Sequence, residues 1–329
     1  MKIAIMAAGG LGSYYGALLA RDGHDVTFIT RGAHLKAIRA NGLAIKSVHG
    51  DFVINPSILL RVRATDNPAE VGVVDWIIFS VKTYDNERAA QAIKPMVGAN
   101  TTVVTFQNGV DNHDQIGAVI GKERVIVAPT QIVSNVTAPG VIEQKSPFRA
   151  SFVGEVYGQG LTPRVTQLAD MLKRTGVDVT AVVDARPALW HKFVFIASAS
   201  GLASLARTEP YVLFQMPDAR ATLRAAMEEI AAVAQANGVT MDAAIVERQY
   251  NFTLNLKPGV KPSMQLDLEA GKRLEIDAMS GAIVRLGAAK NIPTPVHQTI
   301  YVALKMADDK AKRDAKIDNF LASRMLSAS

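Results

Sequence analysis

The first half of the chain alternates short β-branched runs with amphipathic stretches, and the second half does not. Ile3 to Met6 predicts a strand, Gly10 to Arg21 a helix stopped at Gly23, and Asp25 to Thr30 a second strand. Ala33 to Ala40 predicts a helix ended by Asn41-Gly42. Trp76 to Val81 and Thr102 to Phe106 are apolar enough for strands buried on both faces, as in a parallel sheet. Val125 to Val127, Gln131 to Ser134 and Val141-Ile142 surround an Ala138-Pro139-Gly140 turn, which predicts added antiparallel strands. A helix over Pro163 to Arg174 and a strand over Val177 to Val183 would close the sheet. This alternation predicts a doubly wound α/β domain over residues 1–184. Beyond it the strand signal fades. Pro187 to Ala206, Asp218 to Asn237, Met241 to Tyr250, Asp277 to Lys290 and Thr294 to Met325 predict an all-helical domain over residues 185–329. Turns fall at Asn237-Gly238 and Pro258-Gly259, and the last helix is expected to contain a break.

Composition narrows this picture. A chain of 329 residues suits two domains at about 150 residues each. Cysteine is absent, which excludes disulfides, a thiol nucleophile and thiolate metal sites, and fits a cytoplasmic protein. No metal is expected. The net charge of +6 points to anionic partners, small molecules as readily as nucleic acid. The basic run Lys305 to Lys316 carries Asp308, Asp309 and Asp314, so it reads as a solvated helix face and no nucleic-acid partner is expected. No unbroken apolar run reaches the roughly 18 residues of a membrane span, so no membrane partner is expected either. The run Ile3 to Ala8 is too short for a signal peptide and meets a glycine turn.

That turn is the first candidate site. The strand Lys2 to Met6 runs into Ala7-Ala8-Gly9-Gly10-Leu11-Gly12 and then into a helix. The dinucleotide pattern G-x-G-x-x-G has its places at Ala7, Gly9 and Gly12. Gly9 would let backbone approach a pyrophosphate at the helix N-terminus, and Gly12 would let helix and strand lie close. Ala7 is tolerable there if its φ stays negative. NAD-binding proteins place an acid about 20 residues on, at the end of the second strand. Here the sequence reads Phe28-Ile29-Thr30-Arg31-Gly32. The Arg31 guanidinium suits a 2′-phosphate, so NADP(H) is the expected cofactor.

Further motifs follow in order: Ser80-Val81-Lys82-Thr83-Tyr84, Phe106-Gln107-Asn108-Gly109-Val110, Trp190-His191-Lys192, Pro262-Ser263-Met264 and Glu275-Ile276-Asp277. With the glycine turn and Arg31, the ordered set resembles the ketopantoate reductase (2-dehydropantoate 2-reductase) family over residues 1 to about 305. The resemblance implies a Rossmann-type domain, a helical domain and a cleft between them. It also implies reduction of a 2-oxo acid by NADPH, with 2-dehydropantoate reduced to pantoate in pantothenate biosynthesis as the family reaction. Lys82 follows a buried strand where α/β sheets bind ligands, and its ammonium would meet a cofactor oxygen or the substrate. The Asn108 amide would hold the nicotinamide ribose and the neighbouring lysine, with a contact to substrate also expected, or would shape an Asn-Gly turn.

Lys192 is the candidate proton donor. A ketone that accepts hydride needs a donor or fixed positive charge at its oxygen. No cysteine and no suitably placed histidine offers one. The resemblance implies that Glu275 bonds the substrate hydroxyl and that Ser263 binds the carboxylate region. A helix-start carboxylate and a serine N-cap are the plainer readings of those two. Positions 192, 196 and 200 share one helix face. The family pattern has asparagines at the second and third, where this chain has Ile196 and Ser200. That departure leaves open a paralogue acting on a different 2-oxo acid, or a catalytically silent NADP(H)-sensing protein. Pairing with a second copy through the helical half is also left open.

Overall fold

The structure, a computed structural model, describes residues 1–55, 62–158 and 160–326, with side chains as far as 315. Two compact units meet in the chain between Ala188 and Leu189.

The elements of the first unit are β1 (Lys2–Met6), α1 (Gly10–Arg21), β2 (Asp25–Ile29), α2 (Gly32–Asn41), β3 (Leu43–Ser47), β4 (Phe52–Ile54), β5 (Val62–Thr65), β6 (Val74–Phe79), α3 (Asn86–Ala92), β7 (Val97–Thr105), α4 (Asn112–Ile120), β8 (Val125–Val127), β9 (Thr130–Gln131), β10 (Ser134–Ala138), β11 (Val141–Gln144), β12 (Ala150–Gly154), α5 (Pro163–Arg174) and β13 (Asp178–Val182). The main sheet runs β13-β12-β8-β7-β6-β1-β2-β5, with β9 paired to β12. From β5 to β8 every pairing is parallel, in the doubly wound order with its switch between β1 and β6. The central strands are buried on both faces. Ile3, Ile5, Trp76 and Ile78 pack with α1, α2 and α5, while Ala4, Ile77 and Phe79 pack with α3 and α4. Period-two alternation thus feeds two cores, which is why these segments read as unbroken apolar runs.

Several sequence expectations need correction. Of the segments expected as antiparallel additions, Val125 to Val127 is β8 and pairs parallel with β7, while Val141-Ile142 lies in β11, which pairs antiparallel with β10 but not in the main sheet. β10 and β11 belong to a second sheet of order β10-β11-β3-β4, in which β11 pairs parallel with β3. The antiparallel additions to the main sheet are β9 and β12.

The second unit is helical: α6 (Arg186–Ala206, entering from the first unit), α7 (Pro210–Leu213), α8 (Pro217–Ala236), α9 (Ile245–Leu254), α10 (Ser263–Glu269), α11 (Ser280–Ala288) and α12 (Pro295–Leu326). The expected break in the last helix is not there; α12 is continuous. Nor is its basic run wholly solvated. Asp308 is fully buried and accepts the Leu274 N–H at 2.8 Å, with Arg273 Nε at 3.5 Å and Lys305 Nζ at 3.8 Å. A buried carboxylate with those partners keeps its place inside the helix. The N-terminus of α12 is held by Glu229 of α8, which accepts the Val296 and His297 N–H groups. Buried His297 ties α11 and α8 together, with Nδ1 3.1 Å from the Ser280 hydroxyl and Nε2 3.1 Å from the Ala226 carbonyl. Among the described helices α6 is long and apolar enough to cross a membrane, but 67% of that stretch is buried inside the protein, as a core helix would be.

Candidate active site

Parallel register sets the first group of candidate residues along one edge. Met6 pairs with Ile29 and Phe79, and Phe79 with Thr105, so β2, β1, β6 and β7 end level. The loops that leave those ends carry Thr30-Arg31, Ala7 to Gly12, Ser80 to Lys82 and Phe106 to Asn108. Each glycine of the turn answers a separate steric demand. A Cβ on Gly12 would lie 2.5 Å from the Ala7 carbonyl and 2.9 Å from Ile5 Cγ2, so α1 could not lie so close to β1. A Cβ on Gly10 would run into the Ser134 carbonyl and lie 2.9 Å from Asn135 Cα, where β10 crosses the start of α1. Gly9, the N-cap of α1, faces open space, with no atom within 4 Å of where its Cβ would stand. Ala7 keeps a negative φ, because Arg207 and Asn291 are the non-glycine residues with positive φ among those described. Its methyl is therefore tolerated. Ala8 is buried and donates its N–H to the Ile29 carbonyl at 2.9 Å, while Leu11 is half-buried. No acidic side chain stands in the first turn of α1 and none caps it.

Arg31 is exposed, in extended backbone as the N-cap of α2, with no carboxylate in the Phe28 to Gly32 stretch. Lys82 and Asn108 are half-buried. The Lys82 carbonyl accepts the Asp85 N–H at 2.8 Å, and the Asn108 carbonyl accepts from Asn112 Nδ2 at 2.7 Å. Gly109 follows at φ 116°, in a bend over residues 108–110 that favours glycine.

The second group lies in the helical unit. Lys192 sits on α6 between Trp190 and Phe193, both buried, and burial pushes its ammonium down to about 8. Ile196, one turn on, is half-buried; Ser200, the next, is 5% exposed. The buried hydroxyls of Ser198 and Ser204 lack a hydrogen-bond partner among the described residues. Ser263 is exposed and is the first residue of α10, whose N-cap is Pro262, so it is not an N-cap serine. Glu275 is half-buried in a turn ahead of α11, with its carbonyl accepting the Ala278 and Met279 N–H groups at 3.1 Å. The helix begins five residues later, at Ser280, so Glu275 is not a first-turn carboxylate. Its neighbours Leu274 and Ile276 are buried, and Asp308 anchors the Leu274 N–H. Asp277 is the salt-bridge residue: burial would raise its carboxyl, but Lys305 at 2.5 Å and the Tyr301 hydroxyl at 2.9 Å hold it below the usual range.

Some residues at the edge carried no role in the sequence reading. Ser80 donates its hydroxyl to the Ala7 carbonyl at 2.8 Å, tying the glycine turn to the end of β6. Gln107, Asn86 and Asn112 form a buried amide chain behind Lys82 and Asn108. Ser80 and Gln107 lie inside the Ser80 to Tyr84 and Phe106 to Val110 motifs, while Asn86 and Asn112 carry no local signal.

The family model described as ketopantoate reductase PanE/ApbA matches residues 3–156, and its C-terminal counterpart matches residues 184–308. The chain belongs to the ketopantoate reductase family. It is accordingly an oxidoreductase. A 2-dehydropantoate 2-reductase of Mesorhizobium japonicum is 31% identical over 93% of this chain and 97% of its own. The crystal structure of a 2-dehydropantoate 2-reductase from Geobacter metallireducens GS-15 superposes with a TM-score of 0.86 at 32% identity, covering 93% of this chain and 100% of that one. The ternary structure of a D-mandelate dehydrogenase with NADH and anilino(oxo)acetate shares the fold, with a TM-score of 0.84 at 22% identity over 95% of this chain and 99% of that one. For this member of the ketopantoate reductase family, the open space before Gly9 and the uncapped start of α1 fit the pyrophosphate of a dinucleotide.

Proposed function

We propose that the protein is a cytoplasmic NADPH-dependent reductase that turns a 2-oxo acid into a 2-hydroxy acid. Residues 1–184 would bind the nucleotide and residues 185–329 the substrate. The observation that carries the reading is Lys192, an ammonium on an apolar helix whose burial brings it near 8. NADPH, when bound, supplies the hydride that reaches the carbonyl carbon. The chain does the rest. Gly9 and the start of α1 receive the pyrophosphate, Arg31 pairs with the 2′-phosphate, and Lys82 and Asn108 fix the nicotinamide end. Lys192 stays protonated at pH 7 yet releases its proton far more readily than an ordinary lysine, and it gives that proton to the carbonyl oxygen as charge grows there. Glu275 orients the reacting group through the product hydroxyl, and Ser263 takes the substrate carboxylate. Retention of both Lys192 and Glu275 favours an enzyme over a silent nucleotide sensor, which has no use for a proton donor.

2-Dehydropantoate is the substrate the family name favours. A second reading, a 2-oxo acid with a more apolar body, is favoured by Ile196, which stands one turn from Lys192 and cannot hydrogen-bond. Losing one hydrogen bond to a substrate hydroxyl costs about 1 to 3 kcal/mol when the partner is left unpaired. Steady-state NADPH oxidation with 2-dehydropantoate and a panel of apolar 2-oxo acids decides between them. A kcat/KM for 2-dehydropantoate at or above the panel gives the family substrate. One far below another acid's gives the paralogue, and Ile196→Asn should then raise the 2-dehydropantoate value by about tenfold relative to that acid. No oxidation with any 2-oxo acid contradicts the enzyme reading.

A further inference from the structure

Three amides lie buried behind the sheet edge: Asn86 at 1% exposure, Asn112 at 2% and Gln107 at 7%. Buried amides are costly unless bonded, and here an unbroken chain of hydrogen bonds satisfies them. Gln107 Nε2 donates to the Val81 carbonyl at 2.6 Å and to Asn86 Oδ1 at 2.7 Å. Asn86 Nδ2 donates to Asn112 Oδ1 at 2.8 Å and to Gln115 Oε1 at 3.0 Å. Asn112 Nδ2 donates to the Asn108 carbonyl at 2.7 Å. The Thr105 hydroxyl donates to Gln107 Oε1 at 2.9 Å, which fixes the direction in which the whole chain runs. One end therefore holds the backbone just before Lys82, and the other holds the backbone of Asn108 itself. Asn86 is the middle link.

The apolar packing beside it makes the polar choice informative. Ala89, Ala90 and Ile93 follow Asn86, and Ile116 follows Asn112, all inside one apolar cluster. Leucines would fill such space without any need for partners. What amides add is direction, since each one's orientation is set by the next. Two loops that leave neighbouring strands are thereby locked to one reference.

We propose that Asn86 is a positioning residue for nucleotide binding, acting through this chain to hold Lys82 and Asn108 in their binding geometry. The proposal rests on the assignment of those two residues to the cofactor. A misplacement of about 1 Å in a binding group can cost on the order of a hundredfold in activity, so a support of this kind has something to protect.

The test is a mutant cycle read by titration calorimetry of NADPH into the full chain, with melting temperature measured alongside. Asn86→Leu should weaken NADPH binding about tenfold in the otherwise unaltered protein. In a Lys82→Ala/Asn108→Ala background the same change should weaken it by less than about twofold, because the groups it positions are gone. An equal loss in both backgrounds would mean general destabilisation and would overturn the proposal, as would no loss in either. If Asn86→Leu does not fold, Asn112→Asp carries the same expectation; it keeps the acceptor for Asn86 and removes the N–H that holds Asn108. Should Lys82→Ala/Asn108→Ala bind NADPH as well as the unaltered protein, the cofactor assignment of those residues fails and the positioning role with it. An unaltered protein that binds no NADPH contradicts the cofactor reading at its root.

Discussion

The strand edge proposed for the nucleotide and the α6 face proposed for the substrate would achieve recognition by different means. At the edge, backbone does most of the work. Gly12 and Gly10 are glycines because strand and helix approach too closely for a Cβ, and Gly9 leaves room before a helix start. On α6 the proposed work falls to side chains at positions 192, 196 and 200, presented by a helix that would form with many other residues there. Backbone geometry tolerates little change, whereas a side chain on a helix face can be exchanged without disturbing the fold. The first region therefore keeps a recognisable pattern down to its one tolerated alanine, and the second departs from the family pattern at Ile196 and Ser200, where the proposed function puts substrate selection.

Mutations should separate the two regions cleanly. The largest effect is expected at Lys192. Lys192→Ala should lower kcat by about 10² to 10⁴, the usual range for a lost general acid, while NADPH affinity measured by calorimetry stays within about twofold. A Lys192→Ala protein that turns over at near full rate would remove the chemical role assigned to α6. A smaller and differently aimed effect is expected at Arg31. Charge-assisted hydrogen bonds contribute about 1.5 to 3 kcal/mol, so Arg31→Ala should raise the KM for NADPH by about 10- to 100-fold and leave that for NADH nearly unchanged. An unchanged NADPH KM would cost the edge its phosphate contact and open the cofactor choice to NADH.

Legibility followed the same division. β1, α1, β2, β6 and β7 could be read because each strand is buried on both faces and so shows an unbroken apolar run. β3, with its sequence Leu-Ala-Ile-Lys-Ser, could not; pairing with β11 and β4 makes it a strand, and neither partner is visible from its own residues. The break expected in α12 is not there, and Asp308 in its polar stretch is buried with partners from the segment around Leu274, far away in sequence. Glu275 and Ser263 were legible as candidates through motif order alone. Their plainer readings failed on positions that only the helix boundaries reveal. The amide chain through Asn86 was illegible for a deeper reason: its meaning lies in hydrogen bonds among α3, α4 and two loops, and no local pattern encodes those.

The central claim is that the Lys192 ammonium is the proton donor, and the pH dependence of kcat/KM for 2-oxo acid reduction tests it most directly. On that claim the protonated form is the active one, and burial brings its pKa to about 8. The account predicts a plateau on the acid side of pH 8 and a tenfold fall per pH unit above it, with the fall absent from the residual activity of Lys192→Ala. A profile that stays flat to pH 10, or an alkaline limb that persists unchanged in Lys192→Ala, would contradict it.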